Sequence, residues 1–242
     1  MTTVDLSTIK GVIFDKDGTL IDFHQSWTSI GLDLAMAAAV NDEERAEELM
    51  VLAGYDSQSK RFRPDSVFAA GTNAELIDLW FPTYTQSAKL EILSGVERII
   101  SRIAAERAVP VPQCRDVLQF LFNQSMKLAV VTNDSTKGAE ETLSALGISQ
   151  FFTACFGYDA VANPKPAIDP VIAFCDTTGL SPRQIAVIGD NHHDILMGKR
   201  AGVALTVGVL TGTGTRQTLR EADLLLDSIA DFTCLFETQP VS

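Results

Sequence analysis

The chain has 242 residues, 46% of them hydrophobic, and 31 acidic against 19 basic side chains give it a formal net charge of −12 at pH 7. That length holds one large domain, or a domain with an insert, around a well-buried core, and the charge argues against nucleic acid or an anionic membrane as a partner. No apolar stretch is long enough to span a bilayer, Met1-Thr2-Thr3-Val4-Asp5 lacks a signal pattern, and Cys114, Cys155, Cys175 and Cys234 lack metal-ligand spacing, so a cytoplasmic protein with reduced thiols is expected.

The first predicted strand, Val12 to Phe14, runs into Asp15-Lys16-Asp17-Gly18-Thr19. Alternation along an extended backbone aims Asp15 and Asp17 to one side and Lys16 to the other. Gly18 permits a sharp turn and leaves its amide open to an anion. Two acids and a glycine suit a Mg²⁺-assisted phosphoryl site, and the run taken alone equally suits an Asp-Gly turn with solvated acids.

The next stretch, residues 23–107, is rich in Ala, Leu and Glu at helical spacing over Ile30 to Val40, Asp42 to Ala53, Ala74 to Trp80 and Ser87 to Glu106. It reads as a helical insert. Trp27, Trp80 and Phe81 are expected in its core, and Lys60, Arg61 and Arg63 form a basic cluster that either holds a second anionic group or is a solvated loop.

Beyond Val109 the pattern alternates. A helix from Cys114 to Gln124 precedes a strand from Lys127 to Val131, which closes on Thr132-Asn133-Asp134, with Asp134 placed to cap a helix from Thr136 to Leu146. A short strand near Thr153 to Phe156 and the loop Asn163-Pro164-Lys165-Pro166 follow; the flanking prolines rigidify the chain around one lysine. Next come a helix from Ile168 to Thr178 and a strand from Ile185 to Ile188 closing on Gly189-Asp190. After Asn191, His192 and His193, read as exposed loop residues, a helix runs from Asp194 to Ala201 and stops at Gly202. Strands at Ala204 to Val207 and Leu224 to Leu226 and a helix from Ile229 to Phe236 complete the chain. This order predicts an α/β doubly wound parallel sheet formed by residues 1–22 and 108–242, with an inserted helical domain over residues 23–107. Ligands of such sheets bind beyond the carboxyl ends of the strands, where Asp15, Thr132 and Asp190 should converge.

Asp15-Lys16-Asp17-Gly18-Thr19, Thr132, Lys165 and Gly189-Asp190 with Asp194, in that order, resemble the haloacid dehalogenase superfamily, in its branch of phosphoglycolate phosphatases and related small-molecule phosphatases. The resemblance implies a Rossmann-like core and a mobile helical cap inserted after the first motif. It implies Asp15 as nucleophile forming an aspartyl phosphate, and Asp17 as general acid and later base. Mg²⁺ would be held by Asp15, Asp190 and the backbone carbonyl of Asp17. Lys165, Thr132 and the amides of Gly18 and Asn133 would bind the transferring phosphate. Asp194 would orient the metal's water or Lys165 without ligating the metal, or serve as a plain helix-entry acid.

The implied partner is a small phosphorylated metabolite, and the implied assembly a monomer or homodimer. Lys16 departs from the family pattern, where an apolar residue is more usual. The second acid disfavours a dehalogenase or a phosphonate hydrolase. A sugar-phosphate mutase shares the metal and both aspartates, and a silent phospholigand binder would have lost a group that is here retained.

Overall fold

The computed structural model describes residues 6–237; the N-terminal pattern of Met1 to Asp5 lies outside the described residues. β1 (Gly11–Phe14) leads through a turn to α1 (Phe23–Ala38) and α2 (Glu43–Leu52). A two-stranded hairpin of β2 (Tyr55–Asp56) and β3 (Arg61–Phe62) precedes α3 (Val67–Ala70), α4 (Asn73–Trp80) and the long α5 (Gln86–Arg107). The alternating part follows: α6 (Cys114–Asn123), β4 (Lys127–Val131), α7 (Thr136–Ala145), β5 (Ala154–Phe156) and α8 (Asp169–Thr178). It ends with β6 (Ile185–Gly189), α9 (His192–Ala201), β7 (Leu205–Val209), β8 (Leu224–Leu226) and α10 (Ile229–Glu237).

Six of these strands form one parallel sheet in the order β5-β4-β1-β6-β7-β8. Val12 and Phe14 of β1 face a cluster shared with Leu118 and Leu121 of α6 and Phe232 of α10, while Ile13 faces Val171 and Phe174 of α8. Both faces of the sheet are therefore buried, which is why its strands lack polar alternation. The chain winds outward from β1 first through β4 to β5 and then through β6 to β8, so the order reverses at β1. The crevice beyond such a reversal is where an open α/β sheet receives its ligand.

Helices α1, α2 and α4 have an apolar cluster of their own around Phe23, Leu49, Met50, Phe62, Leu76 and Trp80. The Trp80 indole N–H donates to the Leu49 carbonyl (2.9 Å), so Trp80 is internal to this unit as its sequence context suggests. The two connections to the sheet run side by side: Asp22 N–H donates to Val109 O (2.8 Å) and Val111 N–H to Leu20 O (3.0 Å). Helix α1 starts at Phe23, seven residues before the periodic stretch, because the Asp22 carboxylate caps it by accepting from the Gln25 amide. The hairpin and α3 are too short to leave a periodic signal. Among the described residues no helix is long and apolar enough to cross a membrane.

Candidate active site

The carboxyl ends of β1, β4 and β6 open into a cleft of about 700 Å³, including the part open to solvent, roofed by α1, α3, α4 and the residues between α3 and α4. Asp15, the first residue past β1, is buried and accepts from the Lys165 ammonium at 2.5 Å. The same ammonium reaches Asp194 Oδ1 at 2.7 Å. Asp194 Oδ2 accepts from the Asn191 amide (3.1 Å) in the capping box that starts α9. Asp194 thus contacts Lys165 and is also the helix-entry acid. Helix α9 starts two residues earlier than its periodicity indicates, and His192 and His193 are half-buried in its first turn; His193 lines the cleft, contrary to the exposed loop expected.

Asp190, at the end of β6, is buried, and its Oδ2 accepts from the Thr213 amide at 2.8 Å. Carboxylate oxygens of Asp15, Asp190 and Asp194 lie within 4.8 Å of one another. Burial, together with the neighbouring Asp15 and Asp194 charges, pushes Asp190 well above the ordinary carboxylate range. Asp15 rises to about 7, chiefly through burial, with Lys165 pulling the other way. Burial works against the charge of Lys165, but Asp15 and Asp194 outweigh it and hold its ammonium above the usual lysine range. One lysine against three buried carboxylates leaves negative charge uncompensated, and the donors are hard oxygens. That set suits Mg²⁺. Both oxygens of Asp194 already accept a hydrogen bond, whereas Asp15 and Asp190 each keep one oxygen without such a contact.

Thr132 is buried, lines the cleft and accepts from the Asp134 amide (3.1 Å), leaving its hydroxyl hydrogen available to a ligand. The Asn133 side chain donates to Ala70 O (2.9 Å) and to Lys165 O (3.2 Å), tying the turn after β4 to the roof and to the lysine loop. Gly18 does not leave its amide open: φ is +91° and the N–H donates to Ile21 O (2.7 Å). The turn it makes brings its Cα against Asp190 rather than toward an anion.

Lys16 also departs from its expected place. β1 ends at Phe14, so the alternation that would aim Lys16 away no longer applies at positions 15 to 17. The lysine is fully buried, with its ammonium 2.6 Å from Asp17 Oδ2 and 3.2 Å from Asp134 Oδ2. Burial opposes its charge, and Asp17 and Asp134 override this to hold it above the usual lysine range. Asp134 is thus an ion-pair partner, and Ser135 caps α7 by accepting from the Gly138 amide. Trp27 departs in part from its expected place. Its indole N–H donates to Asp17 Oδ1 at 2.5 Å, so it reaches the cleft as well as packing in the helical unit. Lys60, Arg61 and Arg63 are exposed and none lines the cleft.

Sequence reasoning missed the loop between β7 and β8. Thr211 donates to Gly18 O (2.6 Å), Thr213 to Asp190, and Gly212 and Gly214 lie so close to Asp190 that a Cβ on either would overlap it at 1.9 Å. The glycine and threonine run Thr211-Gly212-Thr213-Gly214-Thr215 was the available signal.

A family model described as haloacid dehalogenase-like hydrolase matches residues 12–208. A protein from Salmonella typhimurium named phosphoglycolate phosphatase is 30% identical over 240 residues, covering 93% of this chain and 92% of its own length. One of the same name from Shigella boydii is 31% identical over 237 residues, covering 92% and 90%. A solved structure described as a predicted phosphoglycolate phosphatase from Haemophilus somnus has a TM-score of 0.73 at 22% identity, covering 95% of this chain and 98% of its own, and so supports the fold.

Proposed function

Because the chain belongs to the haloacid dehalogenase-like hydrolase family, we propose that it is a Mg²⁺-dependent phosphatase of a small phosphomonoester, acting through an aspartyl phosphate on Asp15. The observation that carries this reading is the buried Asp15, 2.5 Å from Lys165 and beside Asp190, at the floor of a roofed cleft.

The Asp15 carboxylate attacks phosphorus while the ester P–O bond breaks, and Asp17 gives its proton to the departing oxygen. Water then attacks the acyl phosphate, losing a proton to Asp17, and frees inorganic phosphate and Asp15. Lys165 neutralises charge on the transferring group, and the Thr132 hydroxyl and the main-chain N–H of Asn133 donate to its oxygens. Mg²⁺ held by Asp15, Asp190 and the Asp17 main-chain carbonyl would lower the electrostatic cost of bringing an anionic nucleophile to an anionic ester. Asp194 keeps Lys165 aimed at Asp15. The roof, drawn from Trp27, Leu34, Val67, Phe68 and Leu76, excludes water and contacts the leaving group. The names of the relatives make phosphoglycolate the first substrate to try, with sugar phosphates next.

Release of 4-nitrophenol from its phosphate, with Mg²⁺ and with a chelator, tests the class, and Asp15→Asn serves as the blank. Metal-dependent release that vanishes in the variant is expected. Metal-independent release, or normal activity in Asp15→Asn, rules the mechanism out. A panel of phosphorylated metabolites, phosphoglycolate included, then ranks substrates by kcat/KM.

A further inference from the structure

The geometry points to Lys16 as a positioning residue that, with Trp27, brackets the Asp17 carboxylate and holds it in place for proton transfer with the leaving group. The inference rests on the phosphatase reading above and goes beyond it to a residue that takes no part in the chemistry itself.

Asp17 is gripped from two sides, by a residue of α1 and by its own neighbour in the turn after β1. Trp27, on α1, donates to Oδ1 at 2.5 Å, and Lys16 sits 2.6 Å from Oδ2. Lys16 is itself anchored: Asp134, past the end of β4, lies 3.2 Å away, and the Trp27 ring centroid 5.3 Å away. A lysine with no exposed surface is expensive to bury without partners. Packing alone could be met by an apolar side chain in this position, which would leave Asp17 Oδ2 and Asp134 Oδ2 without a cation. A carboxylate offers about four acceptor directions, so the bracket fixes Asp17 while leaving a direction on each oxygen for the exchanged proton. The indole half of the bracket comes from the roof, so Asp17 is held on both sides only while the roof keeps Trp27 against it.

A proton donor matters most when the departing oxygen is a poor leaving group. The test compares phenyl phosphate with 4-nitrophenyl phosphate, two substrates of similar shape whose leaving groups differ in need of a proton. In Lys16→Met, kcat/KM for phenyl phosphate, which reports the step that expels the leaving group, should fall about 10²-fold, the low end of what acid catalysis supplies. The fall in kcat/KM for 4-nitrophenyl phosphate should be much smaller, whereas any loss in the hydrolysis of the acyl phosphate, common to both, shows in kcat alone. Because that variant strands the buried Asp134, the double variant Lys16→Met/Asp134→Asn is measured beside it and should show the same selectivity. Equal losses of kcat/KM on the two substrates, no loss, or recovery in the double variant would overturn the bracket. Asp17→Asn separates the two levels of inference. If it is selective and the Lys16 variants are not, the bracket alone fails. If Asp17→Asn is unselective, or the wild type hydrolyses neither ester, the bracket falls with the reading on which it rests.

Discussion

Gly18 shows how little room the site leaves for a change of residue. Its φ of +91° is one that side chains rarely adopt, and an added Cβ would lie 2.5 Å from the Asp190 carboxyl carbon. Gly18→Ala should therefore cost about 1–3 kcal/mol in backbone strain and displace Asp190. A displacement near 1 Å lowers turnover about 10²-fold. Urea denaturation and steady-state kinetics check the two effects, and a fully active Gly18→Ala would contradict the close approach. Asp15, Lys165 and Asp190 were legible in the sequence because each stands where an apolar run or a proline pair breaks, and a charged group there has few structural uses. Lys16 was misread because a rule for strands was carried one turn beyond the strand. Trp27 and Thr213 were not legible at all, since their roles arise from contacts ten and twenty-three positions away in the chain.

Between elements, Asn133 is the joint connecting the catalytic floor to the roof. Its amide group reaches Ala70 O at the end of α3 and Lys165 O in the loop before α8. Removing the Ala70 contact should cost about 1 kcal/mol, equivalent to a roughly fivefold rise in the open fraction of the roof segment. In Asn133→Ala, hydrogen exchange should accelerate at the Gly71 to Asn73 amides while the strands of the sheet are unaffected. Unchanged exchange there would mean that packing alone holds the roof. The central strands β1, β4, β6 and β7 are continuous apolar or nearly apolar runs buried on both faces, so they were readable from the sequence pattern, and so was α5 over nearly its whole length. The beginning of α1 was not. His24, Gln25 and Ser26 carry no apolar stripe, and that turn is specified by the Asp22 cap and by the Ser26 hydroxyl accepting from the Val109 amide at 3.0 Å.

The net charge of −12 belongs to the whole molecule, but its most costly part is concentrated in the carboxylates at the end of the sheet. Asp15 ordinarily titrates at 3.8 and is pushed to about 7 in the folded protein, so between those values the folded state binds more protons than the unfolded chain. Stability changes with pH as the protons bound by the unfolded state minus those bound by the native state. That difference is negative here, so the Asp15 contribution to metal-free stability declines as pH rises from about 4 to about 7. Asp190 is shifted in the same direction. A divalent cation selects the ionised carboxylates and reverses the trend. Mg²⁺ should therefore raise Tm more at pH 8 than at pH 5. At a hundredfold excess over Kd the stabilisation at the higher pH is about 2.7 kcal/mol. Asp190→Asn should both stabilise the metal-free protein at pH 8 and remove most of the Mg²⁺-induced shift. Equal Mg²⁺ shifts at the two pH values, or a full shift in Asp190→Asn, would show that the ion binds elsewhere on this acidic surface, and scanning calorimetry of wild type and variant decides between them.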